Sequence, residues 1–342
     1  MSGTPSRTPL LPRKDPADTA ARLLVRCPCY HLAQPYGYLA AMFRSFDQLL
    51  EGARARGPVT VAVAAAHDPD VIEALQRARE LNLAHGILVG DRTRILALAR
   101  ESGFDLPDDQ IVNEPDDAVA IRQAIALVRE GRAGLLMKGK ISTASLIRAV
   151  LDKGAGLRTG RQLSQVIVFQ APGFDRLMLL TDAAINIAPT LAQKAELCRN
   201  AIQVAQAIGI PKPNIAALCA LELVNPEMPA TVDAAALCAM NRRGQIPGCY
   251  IEGPIALDAP LSKFAAERKN IPSPIVENTD IFLAPDIEAA NILYRAIVYF
   301  ARAESGGIVV GARVPLVMLS RAETPETKLH SIAIGILAAP PR

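Results

Sequence analysis

The sequence predicts an α/β fold organised on a largely parallel sheet. Short, almost wholly apolar runs recur at residues 60–66, 86–89, 134–137 and 215–219, each too short for a buried helix. Between them lie polar-led stretches whose apolar residues return at helical spacing, the pattern of helices that cover a sheet. Continuous apolar strands alternating with helices are buried on both faces and run parallel. Ligands of such sheets bind beyond the carboxyl ends of the strands, so chemistry is sought in the loops that follow them.

The elements follow in order. Residues 1–25, rich in Ser, Thr, Pro and Arg, read as a flexible leader because no periodicity survives there. A helix over 42–55 places Phe43, Phe46, Leu49 and Leu50 on one face, and Gly57-Pro58 ends it. Strand 60–66 is followed by Asp68-Pro69, a cap and a first-turn proline, which open a helix to residue 81. Strand 86–89, a helix from 93, a short strand at 111–112 and a helix over 118–130 come next, the last with Ile121, Ile125 and Val128 in register. Strand 134–137 leads to a helix over 143–151. Pro172-Gly173 joins successive strands at 165–170 and 176–181, and a long helix over 190–208 leads to strand 215–219. Helices fit 232–241, 261–269 and 286–305, and the remaining strands fit 281–283, 307–311 and 316–319.

Composition narrows the function. The 342 residues suffice for two domains or one large one, and 50% are hydrophobic, far from the profile of disorder. A formal net charge of +3 with 4% aromatics and no Trp offers no nucleic-acid or membrane surface. Arg outnumbers Lys, 28 to 9, which favours bidentate contacts to phosphate or carboxylate. The longest apolar runs fall far short of a bilayer span, and six widely spaced cysteines form no disulfide framework, so a cytoplasmic setting is expected. Cys27-Pro-Cys29-Tyr-His31 looks like part of a zinc site, but no second ligand cluster completes it.

Four segments after strands concentrate chemistry. In residues 137–143, Lys138, Ser142 and Thr143 surround a Gly turn at a helix start, which suits either an anion site or an N-cap. Residues 154–161 carry Arg158, Thr159 and Arg161 among glycines; the spacing is not a dinucleotide fingerprint, leaving a phosphate clamp or a surface loop. Asp182 and Asn186 follow an apolar strand, where Asp182 caps, holds an Arg or binds a ligand. Ser320-Arg321 joins a hydroxyl and a guanidinium at a strand end, which suits a phosphate or a developing oxyanion. His67, after the first strand, is a weaker candidate base.

These segments, with residues 61–68 and 87–91, Val224-Asn-Pro226, Gly244-Gln245, Gly253-Pro254 and Asp258, resemble the phosphate acetyl/butyryl transferases in the family's own order, most closely its butyryl branch. The resemblance spans residues 44–336. It implies a two-domain α/β fold like that of isocitrate and isopropylmalate dehydrogenases, with an interdomain cleft. The first domain would comprise residues 26–157 with 312–342, and the second residues 158–311, through which two copies pair. It implies acyl-CoA and inorganic phosphate as substrates, CoA being no cofactor, and no metal. The CoA thiol, deprotonated by a carboxylate, would attack an acyl phosphate directly. By position Arg321 would bind the phosphoryl group, Ser320 would donate to the oxyanion and Arg148 would hold phosphate. Lys138, Ser142, Thr143, Arg158, Thr159, Asp182, Asn186 and Asp258 would bind substrate. The sequence departs from the family in three places. Thr327 stands where the acetyl branch has an Asp, leaving Glu326 or Glu323 as substitute. Gln165 stands where relatives commonly have His, and Ala259-Pro260 follows Asp258. Alternatives are a phosphate acetyltransferase, a metal- and NAD-dependent 2-hydroxyacid dehydrogenase of the same fold, and a non-catalytic CoA sensor.

Overall fold

The computed structural model describes residues 42–320 and 322–340, so Cys27, Cys29, His31 and Arg321 lie outside the described residues. Ser45, Asp68, Asp91, Asp116, Ser142, Thr190, Ser262, Asp286 and Thr324 each accept a bond from the backbone N–H three residues on, satisfying a donor that a helix start leaves open. The chain begins with α1 (Phe46–Ala55), β1 (Val59–Ala64), α2 (Pro69–Glu80), β2 (Ala84–Gly90) and α3 (Arg92–Glu101). It continues with β3 (Ile111–Asn113), α4 (Asp117–Arg129), β4 (Leu135–Lys138), α5 (Thr143–Val150), β5 (Ser164–Gln170) and β6 (Met178–Thr181). Next come α6 (Leu191–Ala207), β7 (Asn214–Leu218), α7 (Pro229–Arg242), β8 (Tyr250–Ile255), α8 (Asp258–Leu261) and α9 (Lys263–Arg268). The last elements are β9 (Ile281–Leu283), α10 (Ile287–Tyr299), β10 (Glu304–Val310), β11 (Leu316–Val317) and α11 (Pro325–Ala338).

Among the described residues all eleven strands form one sheet in the order β3-β2-β1-β4-β11-β10-β5-β6-β9-β7-β8. The runs β3-β2-β1-β4-β11 and β6-β9-β7-β8 are parallel, and antiparallel β10 and β5 join them. Successive residues of β1 serve opposite faces: Val61 and Val63 pack with α2 and α11, whereas Ala62 and Ala64 pack with α4 and α5. Helices α8 to α10 cover the second parallel run. The strand order reverses beside β1 and β4, the kind of switch point that opens a crevice at the strand ends.

Four features depart most from the sequence expectation, the first being α11, which no expected element covers. The helix expected over 286–305 ends at Tyr299, because the chain turns at Arg302 (φ 56°) before entering β10. Strand β8 was not foreseen, since Gly253-Pro254 interrupts its pattern; it lies at the sheet edge, where a proline's missing N–H costs nothing. The expected helix over 261–269 breaks at Ser262, which ends α8 and caps α9.

Candidate functional site

Loop 139–142 is held against the loop after β1 by two backbone bonds, Gly139 N–H to Ala64 O (2.9 Å) and Lys140 N–H to Ala65 O (2.9 Å). A Cβ on Gly139 would lie 2.0 Å from Ala65 O, so only glycine lets the two loops meet. Lys138, 7% exposed at the end of β4, donates its ammonium to Gly139 O (3.2 Å) and Ile141 O (3.3 Å), across the same turn. Ser142 caps α5 through Ser145 N–H (3.0 Å) and also lines the adjoining cleft, so the cap and the site are one residue.

That cleft has a volume of about 460 Å³ and is open to solvent. Its polar lining includes Lys138, Ser142, Thr143 and Ser320, and its apolar lining includes Ile167, Ile185, Ile287 and Met318. Gln165, Asn291, Tyr294, Arg295 and Glu323 complete the lining. A smaller recess with Asp68, Gly139 and Lys328 continues from Lys138 and Ser320. The helix N-terminus of α5 adds unpaired N–H groups and positive potential to the polar lining.

Ser320 sits in a tight turn: its hydroxyl accepts from Ala322 N–H (3.3 Å), and its carbonyl accepts from Glu323 N–H (3.2 Å). Glu323, 5% exposed, accepts from Arg295 (2.7 Å) at Oε1 and from the Tyr294 hydroxyl (3.1 Å) at Oε2. Its carbonyl accepts from Lys328 Nζ (2.5 Å), which also reaches Asp70 (3.2 Å). Burial, and then the Glu323 charge, pushes the Tyr294 phenol well above its ordinary range, so it remains a donor to that carboxylate.

Asp182 and Asn186 shape the cleft rather than line it. The Asp182 carboxylate accepts from Ala184, Ile185 and Asn186 N–H (3.0, 3.1 and 3.2 Å) and from Asn186 Nδ2 (2.5 Å). This folds the loop whose Ala183, Ala184 and Ile185 face the cleft. Burial raises the Asp182 pKa, and the N–H donors oppose it.

The other expected residues lie elsewhere. Glu326 pairs with Arg77 and with His330 (3.2 Å), so Glu323 is the one of the two substitute carboxylates that reaches the cleft lining. Thr159 donates to Gly311 O (2.6 Å), and Arg158 bridges Ala312 through its backbone, strapping that loop to the β10–β11 turn. Arg148 is exposed near the end of α5, and Asp258 is exposed and paired with Lys269 (2.7 Å), which holds its carboxyl low. His67 is buried with Nδ1 lacking a partner among the described residues, and it is absent from the cleft lining. Among the described residues no cluster of His, Cys, Asp or Glu is suited to a metal, and no helix is long and apolar enough to cross a membrane.

A cleft at the strand ends of an α/β sheet, lined by a lysine, by hydroxyls and by apolar side chains, suits a ligand with an anionic part and a hydrocarbon part. Residues 110–336 match the family model described as phosphate acetyl/butaryl transferase. The chain is 44% identical to the phosphate butyryltransferase of Clostridium acetobutylicum over 298 residues, covering 87% of this chain and 99% of the relative. It is 42% identical to the phosphate acetyltransferase of Thermotoga maritima, covering 86% and 99%. The structure is similar to that of a branched-chain phosphotransacylase from Enterococcus faecalis (TM-score 0.71, 31% identity, 82% and 98% covered). The chain belongs to the phosphate acetyl/butyryl transferase family, and it is an acyltransferase.

Proposed function

We propose that the protein transfers a short acyl group, butyryl by preference, between coenzyme A and phosphate: acyl-CoA + phosphate ⇌ acyl phosphate + CoA. The observation that carries this is the meeting in one cleft of Ser320, Lys138 and the α5 N-terminus with apolar side chains. Such a cleft takes both a phosphate and a hydrocarbon. Relatives named for butyryl and for acetyl transfer support the reading and make acetyl transfer its nearest variant.

In this reading the reaction proceeds by direct attack in a ternary complex. The CoA S–H proton passes to a carboxylate, and the thiolate sulfur attacks the carbonyl carbon of the acyl phosphate. The tetrahedral intermediate then expels phosphate with the electron pair of the broken C–O bond. The Ser320 hydroxyl donates to the carbonyl oxygen as it gains charge, and Lys138 with the α5 amides offsets the phosphate. Arg321 takes the phosphoryl group on the strength of the family resemblance. Both carboxylates have partners, Glu323 with Arg295 and Tyr294 and Glu326 with Arg77 and His330, and we assign the base's place to Glu323 because it lines the cleft and Glu326 does not.

We assign the two parallel runs of the sheet to two domains, residues 26–157 with 312–342 and residues 158–311, on either side of the cleft. Two copies pair through the second, whose α10 exposes Ile292 and Tyr299, with Phe300 exposed just after it. Light scattering that finds only a 36.5 kDa species at micromolar concentration removes the pairing. The setting is cytoplasmic, with neither metal nor resident cofactor required. Butyryl-CoA and phosphate incubated with the protein should release free thiol, with and without EDTA. No phosphate-dependent release refutes the transfer, and release abolished by EDTA and restored by a divalent ion refutes the metal-free mechanism.

A further inference from the structure

Two consecutive glycines on β10 have opposite surroundings. A Cβ on Gly306 would lie 2.9 Å from His330 Cβ and from Ile334 Cδ1, so α11 packs where that side chain would be. A Cβ on Gly307 would point to the other face and lie 3.5 Å from Ile167 Cγ1 and from Val166 O, ordinary contact distances. Gly307 has no positive φ, pairs with Ile167 across the sheet and lines the cleft. Neither packing nor backbone conformation therefore excludes a side chain there. What the missing side chain leaves is room in the apolar part of the cleft, beside Ile167, Tyr294 and Met318. Met318 stands two residues before Ser320 on the same stretch of chain.

We infer that Gly307 sets the depth of the acyl pocket and thereby admits chains longer than acetyl. The inference rests on the acyl-transfer reading above. An acyl carbonyl at Ser320 directs its hydrocarbon along Met318 toward Gly307, which the antiparallel pairing of Val309 with Leu316 sets beside it. A methyl on Gly307 occupies about the volume of one methylene, and one methylene in an apolar pocket is worth roughly 10–200-fold in discrimination. Met318 bounds the same space from the neighbouring strand segment, so shortening it deepens the pocket.

The test compares wild type, Gly307→Ala, Gly307→Val and Met318→Ala on acetyl-, propionyl-, butyryl- and valeryl-CoA with phosphate. Gly307→Ala should lower the butyryl-to-acetyl ratio of kcat/KM about 10-fold or more, and Gly307→Val should lower it further. Met318→Ala should raise the valeryl-to-butyryl ratio. A folded Gly307→Ala with a ratio within about twofold of wild type overturns the inference. Should Gly307→Ala not fold, an unchanged ratio in Met318→Ala overturns it instead. Calorimetric binding of butyryl-CoA and acetyl-CoA separates the two ideas. Binding preference shifted by Gly307→Ala in a protein that turns over none of these thioesters retains the pocket and removes the transfer reading. Turnover with unshifted ratios removes the pocket alone.

Discussion

Glu323→Gln removes the charge at the cleft carboxylate while keeping its size. The carboxylate accepts from Arg295 at 2.7 Å and from Tyr294 at 3.1 Å. A glutamine oxygen accepts from Arg295, and its NH₂ faces the Tyr294 hydroxyl, which can accept while turning its proton to Ser305 (3.3 Å), so what is lost is the negative charge opposite Arg295. A bond to a charged partner is worth about 1.5–3 kcal/mol, and the lower end applies because the Arg295 side chain is 32% exposed. The expected loss of stability is about 2 kcal/mol, a fall of several degrees in Tm. Loss of a proton acceptor at the reacting centre costs far more activity, on the order of 10²–10⁴ in kcat. The decisive assay is kcat and kcat/KM in the thiol-consuming direction for wild type, Glu323→Gln and Glu323→Asp. Glu323→Gln should be slow at every thiol concentration, and Glu323→Asp should restore part of the rate. A folded Glu323→Gln that keeps more than about a tenth of wild-type kcat would falsify the assignment.

Gly139→Ala sets a methyl against Ala65 O and must part the loops joined through Gly139 and Lys140; a loss of about 2 kcal/mol or more in urea unfolding is expected, with weakened phosphate binding. Asp182→Asn relieves the desolvation that raises this carboxyl but turns an amide NH₂ toward backbone N–H donors; a net loss of about 1–3 kcal/mol is expected, and a gain in the urea midpoint means that desolvation dominates. Burial holds His330 below its ordinary pKa of 6.5, and Glu326 beside it pulls the other way. The unfolded chain therefore takes up that proton first, so the His330 contribution is complete above about pH 6.5 and is lost as pH falls toward the lower folded value. His330→Gln should flatten this part of the curve, read as urea midpoints between about pH 7.5 and 5.5.

Legibility in the sequence followed the physics of each segment. Strands β1, β2 and β4 were readable because two-faced burial demands uninterrupted apolar runs, and their helices because Asp68, Ser142 and Thr190 are caps with visible partners. Helix α11 was missed although Thr324-Pro325 marks its start, because every residue from Leu329 to Ala338 is buried and no polar face marks its period. For the site, Lys138, Ser142, Thr143 and Ser320 were found because the sheet brings strand ends together and each sits at one. Tyr294 and Arg295 were not, because they project from the middle of α10 and belong to no local motif; only the fold brings them to Glu323. Gln165 appeared in the sequence as a departure from relatives, and the structure puts it in the cleft lining. Asp182, Asn186 and Thr159 show the opposite case, polar residues in loops whose bonds hold those loops in shape.

The place of β11 has a consequence for synthesis. It pairs with β4 on one side and β10 on the other, joining strands made far apart in time. From β4 at Lys138 to β11 at Leu316 the ribosome must add close to 180 residues, which at 5–20 residues per second takes roughly 10–35 s. Throughout that interval the nascent chain carries an open sheet edge at β4, and β10 adds a second once made. Strand exchange with a neighbouring nascent chain is then in competition with the last strand, so yield in a cell should respond to chaperone supply more steeply than the finished protein's stability suggests.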